Sequence, residues 1–214
     1  MRGKMLIAGV VVPLFLACSS MYFAGMEKLG VYKREIMVDR VKAARDTQNE
    51  AKEQFLSAME QFKSVVAVQG GDLEEKYEKL SATLEKSENE AAAVRKRIKS
   101  VEEVSEALFT EWSEEIKQYN SESLKKASQR KYDQAKTKYA ELMKAMKKAE
   151  SKLEPALIPL RDQVLFIKHN LNAKAIAGLS DELISVQSNV DTLVHDMEVA
   201  IAEADKFIAA LQEE

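Results

Sequence analysis

Apolar and small residues recur at steps of three and four along nearly the whole chain after about residue 27, and no run alternates as a strand does. A first stretch gives Val41, Ala44, Ala51, Phe55, Ala58, Phe62 and Val65, with Gln48 as its polar exception. A second gives Leu73, Tyr77, Leu80, Leu84, Ala91, Val94, Ile98, Val101, Leu108 and Trp112, interrupted by Ser87 and Ser105. The third is Leu124, Ser128, Tyr132, Ala135, Tyr139, Leu142, Met146, Ala149 and Leu153. The last is Leu183, Val186, Val190, Leu193, Met197, Ala204, Ile208 and Leu211. Such steps average about 3.5 residues, the period that keeps one stripe facing a partner helix. With only 7 Gly and 3 Pro in 214 residues, the tight corners of a sandwich or barrel have no material. The spacing predicts an all-α fold, with long antiparallel helical hairpins forming an elongated three- or four-helix, coiled-coil-like bundle.

The joints are readable from local chemistry. Gly70-Gly71 ends the first helix, because glycine accepts the left-handed conformation that closes one, and Asp72 with Glu75 caps the second. The second joint lies near Tyr119-Asn120-Ser121, where Asn and Ser are natural caps. Two positions compete for the third. Pro155 and Pro159 favour a break at 153–158, since each lacks an amide hydrogen and crowds the preceding turn. Yet the stripe Leu160, Val164, Ile167, Leu171, Ala175, Leu179 runs on, and 169–180 holds Asn170, Asn172 and Gly178. The break at 153–158 is the preferred reading.

The first residues have a different character. Arg2 and Lys4 precede thirteen uncharged, mostly apolar residues, Met5 to Ala17. A helix of that length reaches about 20 Å, short of the roughly 30 Å hydrocarbon core of a bilayer. A positive start, a short apolar middle and a small residue at the end mark a secretory signal, here residues 1–17. The only cysteine, Cys18, follows directly, and Leu14-Phe15-Leu16-Ala17-Cys18 resembles a bacterial lipobox, with Phe15 where Leu is usual. That resemblance implies cleavage before Cys18 and attachment of acyl chains such as palmitate to it, and two or more chains anchor stably where one does not. Ser19, rather than Asp, implies sorting to the outer membrane. The bland alternative is a buried cysteine in a short apolar anchor. Residues 18–26 then form a lipidated N-terminus and short tether, with Met21, Tyr22, Phe23 and Met26 suited to the membrane interface, and residues 27–214 a single elongated bundle.

Losing Arg2 and Lys4 takes the net charge from −3 to −5, which is no signature of a nucleic-acid binder. Charge is blocked along the chain: residues 122–152 carry ten cations and four acids, whereas 181–214 carry one Lys and nine acids. Solvated outer faces that compensate each other in the bundle are the ordinary reading. The functional reading is a basic face, Lys125, Lys126, Arg130, Lys131, Lys144, Lys147 and Lys148, directed at anionic head groups or an acidic partner.

Nothing else points to chemistry. His169 and His195 lie 26 residues apart, with no HExxH-like spacing and no cysteine partner, so they read as ordinary helix residues, not metal ligands. One cysteine excludes an internal disulfide framework. There is no phosphate-cradling loop and no Gly-x-Ser-x-Gly elbow, and Trp112, Tyr132 and Tyr139 fall on the apolar stripes. No catalytic, cofactor-binding or metal residue is assigned. The stretch 161–173 sets amides and charges beside a dense apolar run, as a buried network that fixes register or as a docking surface.

The lipobox, Met26-Glu27-Lys28-Leu29-Gly30, Lys33-Arg34, Asp39-Arg40-Val41, Glu53-Gln54-Phe55, Gly70-Gly71-Asp72-Leu73, Ala107-Leu108-Phe109 and the 161–173 stretch together resemble a family of bacterial envelope lipoproteins catalogued only as a domain of unknown function. The resemblance covers nearly the whole mature chain and implies a helical lipoprotein, with no activity or catalytic residues to carry over. The expectation is therefore a lipid-anchored, non-catalytic periplasmic protein of the bacterial outer membrane with a structural, scaffolding or partner-binding role. It would meet the membrane through its anchor and an envelope protein or a second copy through its surfaces, and it would use no cofactor, nucleic acid or small-molecule substrate. The alternative is a BAR-like lipid-binding or membrane-remodelling bundle that uses the basic face.

Overall fold

The computed structural model describes residues 32–67, 73–169 and 182–212. Four helices account for nearly all of them: α1 (Lys33–Ala67), α2 (Leu73–Gln118), α3 (Glu122–His169) and α4 (Leu183–Gln212). Each packs on the next in sequence and α4 closes back on α1, so the four stand at the corners of a square bundle. Neighbours run antiparallel. At one end the start of α1 meets the end of α2 (Lys33 with Glu111) and the end of α4 (Arg34 with the Leu211 carbonyl). At about 1.5 Å per residue, the 48 residues of α3 extend roughly 72 Å. The expected all-α bundle of long antiparallel helices is thus what the chain forms, with four helices among the described residues.

The stripes make the core. Val41, Ala44, Ala51, Phe55, Ala58, Phe62 and Val65 of α1 are all buried, as are Val94, Ile98 and Val101 of α2, Leu142, Met146, Ala149 and Leu153 of α3, and Val190, Leu193, Met197 and Ala204 of α4. Nearly all of them join one continuous apolar cluster that the four helices share. Leu124 departs from the pattern and stays exposed. The cause is unequal helix length. Leu211, the last buried residue of α4, lies level with Lys131 and Ala135, and Tyr32 lies level with Trp112 and Glu115. The α2–α3 hairpin therefore runs past the ends of α1 and α4, and none of residues 117–134 is buried.

The second joint is where capping chemistry put it, at residues 119–121. Ser121 caps α3 with its hydroxyl 3.5 Å from the Leu124 amide and its carbonyl accepting the Lys125 amide at 2.9 Å. The first joint, with Gly70-Gly71 and Asp72, falls outside the described residues. The preferred third joint is wrong: α3 continues unbroken through Pro155 and Pro159 to His169, and α4 starts at Leu183, with nearly all of the competing segment between them outside the described residues. The two prolines stand four apart on one face, Pro155 exposed and Pro159 partly so, while Leu153, Ala156, Leu157 and Leu160 hold the opposite face in the core. The carbonyls deprived of a donor lie on the wet side, where water serves them, and burial of the other face outweighs the clash.

Candidate functional site

Three features carry polar chemistry: the overhanging hairpin tip, the ion pairs between helices, and a groove at the opposite end. Of the seven cations of the basic face, Lys126, Arg130, Lys131 and Lys144 are exposed, Lys125 is partly so, and none of these five makes an ion pair among the described residues. Four of the five sit on the tip, beside exposed Tyr119 and Leu124. This is also the end at which the described chain begins, at Tyr32. Lys147 and Lys148 belong to the bundle instead. Lys147 pairs with Glu102 at 3.2 Å, and Lys148 donates to Asp196 at 2.8 Å.

The expected compensation of α3 by α4 is realised in that last pair. Two other cations of α3, Arg161 and Lys147, turn to α2, and with Arg95 of α2 reaching Glu154 they make a ladder that climbs by heptads: Glu88 with Arg161, Arg95 with Glu154, Glu102 with Lys147. Arg161 also bonds Glu154 within α3, and this hydrogen bond, assisted by Arg95, holds the Glu154 carboxyl below its ordinary range. A second ladder, Arg45 with Asp205 and Lys52 with Glu198, joins α1 to α4 with the same seven-residue step. Bonds to Asp205 and Asp46 raise the Arg45 guanidinium further above its already high value. The signal for both ladders was in the sequence, as charges spaced every seven residues on the flanks of the stripes, alternating in sign in the first ladder and of one sign along each helix in the second.

Trp112, Tyr132 and Tyr139 pack at the core boundary just inside the tip. Tyr132 meets Phe109 and Trp112 edge-on, each at 5.7 Å between ring centres, and Tyr139 lies 5.5 Å from Phe109 and 6.4 Å from Phe207. The Trp112 indole donates to Ser128 Oγ at 3.0 Å, so its polar edge is satisfied. Deeper polar groups are few. Gln54, Thr83, Ser87 and Gln61 hydrogen-bond across the α1–α2 seam. Gln48 is fully buried with both amide atoms unpartnered, and Asp196 is buried with Oδ2 unpartnered. His169 and His195 are both exposed. Among the described residues no three His, Cys, Asp or Glu side chains gather as a metal site would require, and no helix is long and apolar enough to cross a membrane. Cys18 and the Met21, Tyr22, Phe23, Met26 cluster lie outside the described residues.

At the end away from the tip, α3 and the first turn of α4 enclose a groove of about 510 Å³. Ile158, Pro159 and Phe166 are its apolar lining, with Asp162 and Gln163 from α3 and Glu182 and Ser185 from the start of α4. It belongs to the 161–173 stretch singled out above, of which residues 161–169 are described. Gln163 is buried and its Oε1 has no partner.

A family described as "Protein of unknown function (DUF2959)" matches residues 22–211. The chain belongs to this family, as its resemblance to an uncharacterised helical family implies. No curated protein matches the sequence.

Proposed function

We propose that this family member is a non-catalytic helical stalk, tethered by acylated Cys18 to the periplasmic face of the bacterial outer membrane, where it acts as a scaffold through its surfaces. The observation that carries the reading is the position of Cys18 at the end of a signal-like segment, with thirteen residues between it and Tyr32, where the described bundle begins. At about 3.3–3.6 Å per residue, that tether spans at most some 45 Å, and it joins the bundle at one end of its long axis. Metabolic labelling with a palmitate analogue is expected to mark the wild-type chain and to fail for Cys18→Ser. Equal labelling of both would remove the anchor from the reading.

A second reading is favoured by the tip itself: a lipid-binding, BAR-like bundle whose basic face meets anionic head groups. Among the described residues, Lys125, Lys126, Arg130 and Lys131 make no ion pair, and they share the end of the rod where the described chain begins with exposed Tyr119 and Leu124. Cations beside aromatic and aliphatic side chains suit a charged bilayer surface. The chain from Ser19 onward should co-sediment with vesicles rich in phosphatidylglycerol, and reversal of the four cations to Glu should abolish this. Sedimentation that ignores anionic lipid content counts against it.

A further inference from the structure

The cations of the tip do not form a face. An α-helix turns about 100° per residue, so relative to Lys125 the side chains of Lys126, Arg130 and Lys131 leave α3 at about 100°, 140° and 240°. The sector without a cation holds Ser128 and Tyr132, which bond to and pack against Trp112 of α2. The four therefore ring the sides of α3 that do not face α2, and no plane laid along the rod touches them all. Farther along α3 the same turn interrupts any lateral basic strip. Lys126, Arg130 and Lys144 point nearly the same way, but Asp133 and Glu141 lie between them, at about 80° and 160°. A surface that reached Lys144 from the side would meet both carboxylates. From the end it meets few: residues 116–131 hold Lys117, Lys125, Lys126, Arg130 and Lys131 against Glu122 alone. Lys117 is paired with Glu114. Glu141 stands roughly 22 Å behind Lys126, beyond a Debye length of about 8 Å.

We propose that the protein is an upright spacer. The tip seats end-on among anionic head groups, with exposed Tyr119 and Leu124 entering the interface and the four cations meeting phosphates around them. This rests on the lipid-binding reading of the tip, and it replaces a side-on, BAR-like contact with an end-on one. Tyr32 lies level with Trp112 and Glu115, so an anchor at Cys18 acts on the same end that is seated. Once the chain is anchored, the tip is a second, intramolecular contact, and a modest affinity keeps the rod upright. The length of α3 then holds the opposite end of the bundle roughly 70 Å from the bilayer.

Energy transfer from the full chain on phosphatidylcholine vesicles, with and without phosphatidylglycerol, tests this. A fluorescent amino acid is placed at Gln118, on the tip, or at Lys168, at the far end, with an acceptor dye on the head groups. Phosphatidylglycerol should raise transfer from Gln118 and leave that from Lys168 at its starting level. Lys125→Gln and Lys131→Gln, on different flanks of α3, should each lower the ratio of seated to unseated tips by about fivefold, equivalent to about 1 kcal/mol. Lys144→Gln, on the lateral strip, should have no such effect. Transfer that rises at both positions would lay the rod on its side and overturn the proposal. So would a loss in Lys144→Gln with Lys125→Gln or Lys131→Gln silent. No response to phosphatidylglycerol at either position would remove the lipid-binding reading itself, and the spacer with it.

Discussion

Two residues stand against the apolar logic of the core. Gln48 occupies a stripe position between Ala44 and Ala51, fully buried, with neither end of its amide bonded. A buried, unbonded polar group costs roughly 1–3 kcal/mol, so Gln48→Leu should raise the melting temperature, with a gain on the order of 1 kcal/mol once imperfect packing is counted. A lower melting temperature would show that Gln48 has a partner that matters. Buried polar side chains at such positions fix register in coiled coils, which gives Gln48 a reason to exist at this cost. Asp196 differs because one oxygen is served. Lys148, itself 62% exposed, reaches in to it at 2.8 Å. Lys148→Met would strand the carboxylate and should destabilise by about 1–3 kcal/mol, whereas adding Asp196→Asn should recover much of the loss. Thermal unfolding of the two single variants and the double variant reads this directly, and additive effects would show that the pair is not coupled.

Between helices, sequence spacing was informative wherever burial was one-sided. All four stripes could be read because a 3.5-residue period has one structural use, and the α2–α3 joint because Ser121 has a side chain that caps. The prolines misled for a physical reason. Their cost depends on which face they occupy, and a linear reading counts the missing amide without knowing that water replaces it. Pro155→Ala should therefore leave the bundle folded and raise its stability by no more than about 1–3 kcal/mol, the scale of a proline penalty already partly relieved. A collapse of α3 would mean that the ring itself packs. The ion-pair ladder is another property of paired elements. Along α2 the charges run Glu88, Arg95, Glu102, and along α3 they run Arg161, Glu154, Lys147, so a slip of one heptad sets like charges opposite. Exposed pairs of this kind add little stability, and their use is to reject wrong registers. Glu154 gives the ladder a pH signature. Its carboxyl is depressed by Arg161, so its contribution is complete above the unfolded carboxylate value, near 4.3, and is lost as pH falls through the lower folded value. Melting temperature should therefore drop more steeply in acid for the wild type than for Glu154→Gln, and high salt should narrow the difference.

Over the whole molecule, the two ends differ in kind. One end carries the overhanging hairpin with its free cations and the start of the described chain. The other carries the acceptor-rich groove. Charge blocks pointed to the first from sequence, although Lys147 and Lys148 were absorbed by neighbouring helices that no linear reading could place. The second was visible only as an odd mixture of amides and apolar residues, because its carboxylates, Asp162 and Glu182, lie twenty residues apart and are brought together only by packing. The overhang also sets a gradient of stability. Inside the square bundle each helix has two neighbours and a shared core, but from residue 117 to 134 the hairpin contributes no buried residue. Local opening there exposes little apolar surface and costs correspondingly little free energy. Amide hydrogen exchange along α3 should thus be fast from Glu122 to about Gln134 and slow sharply from Ala135, reaching full protection around Leu142 to Leu153. Uniform protection along α3 would require that something cover the tip. In that case protection should fall when the chain is shortened to begin at Tyr32 if the tether supplies the cover, and persist if a second copy does.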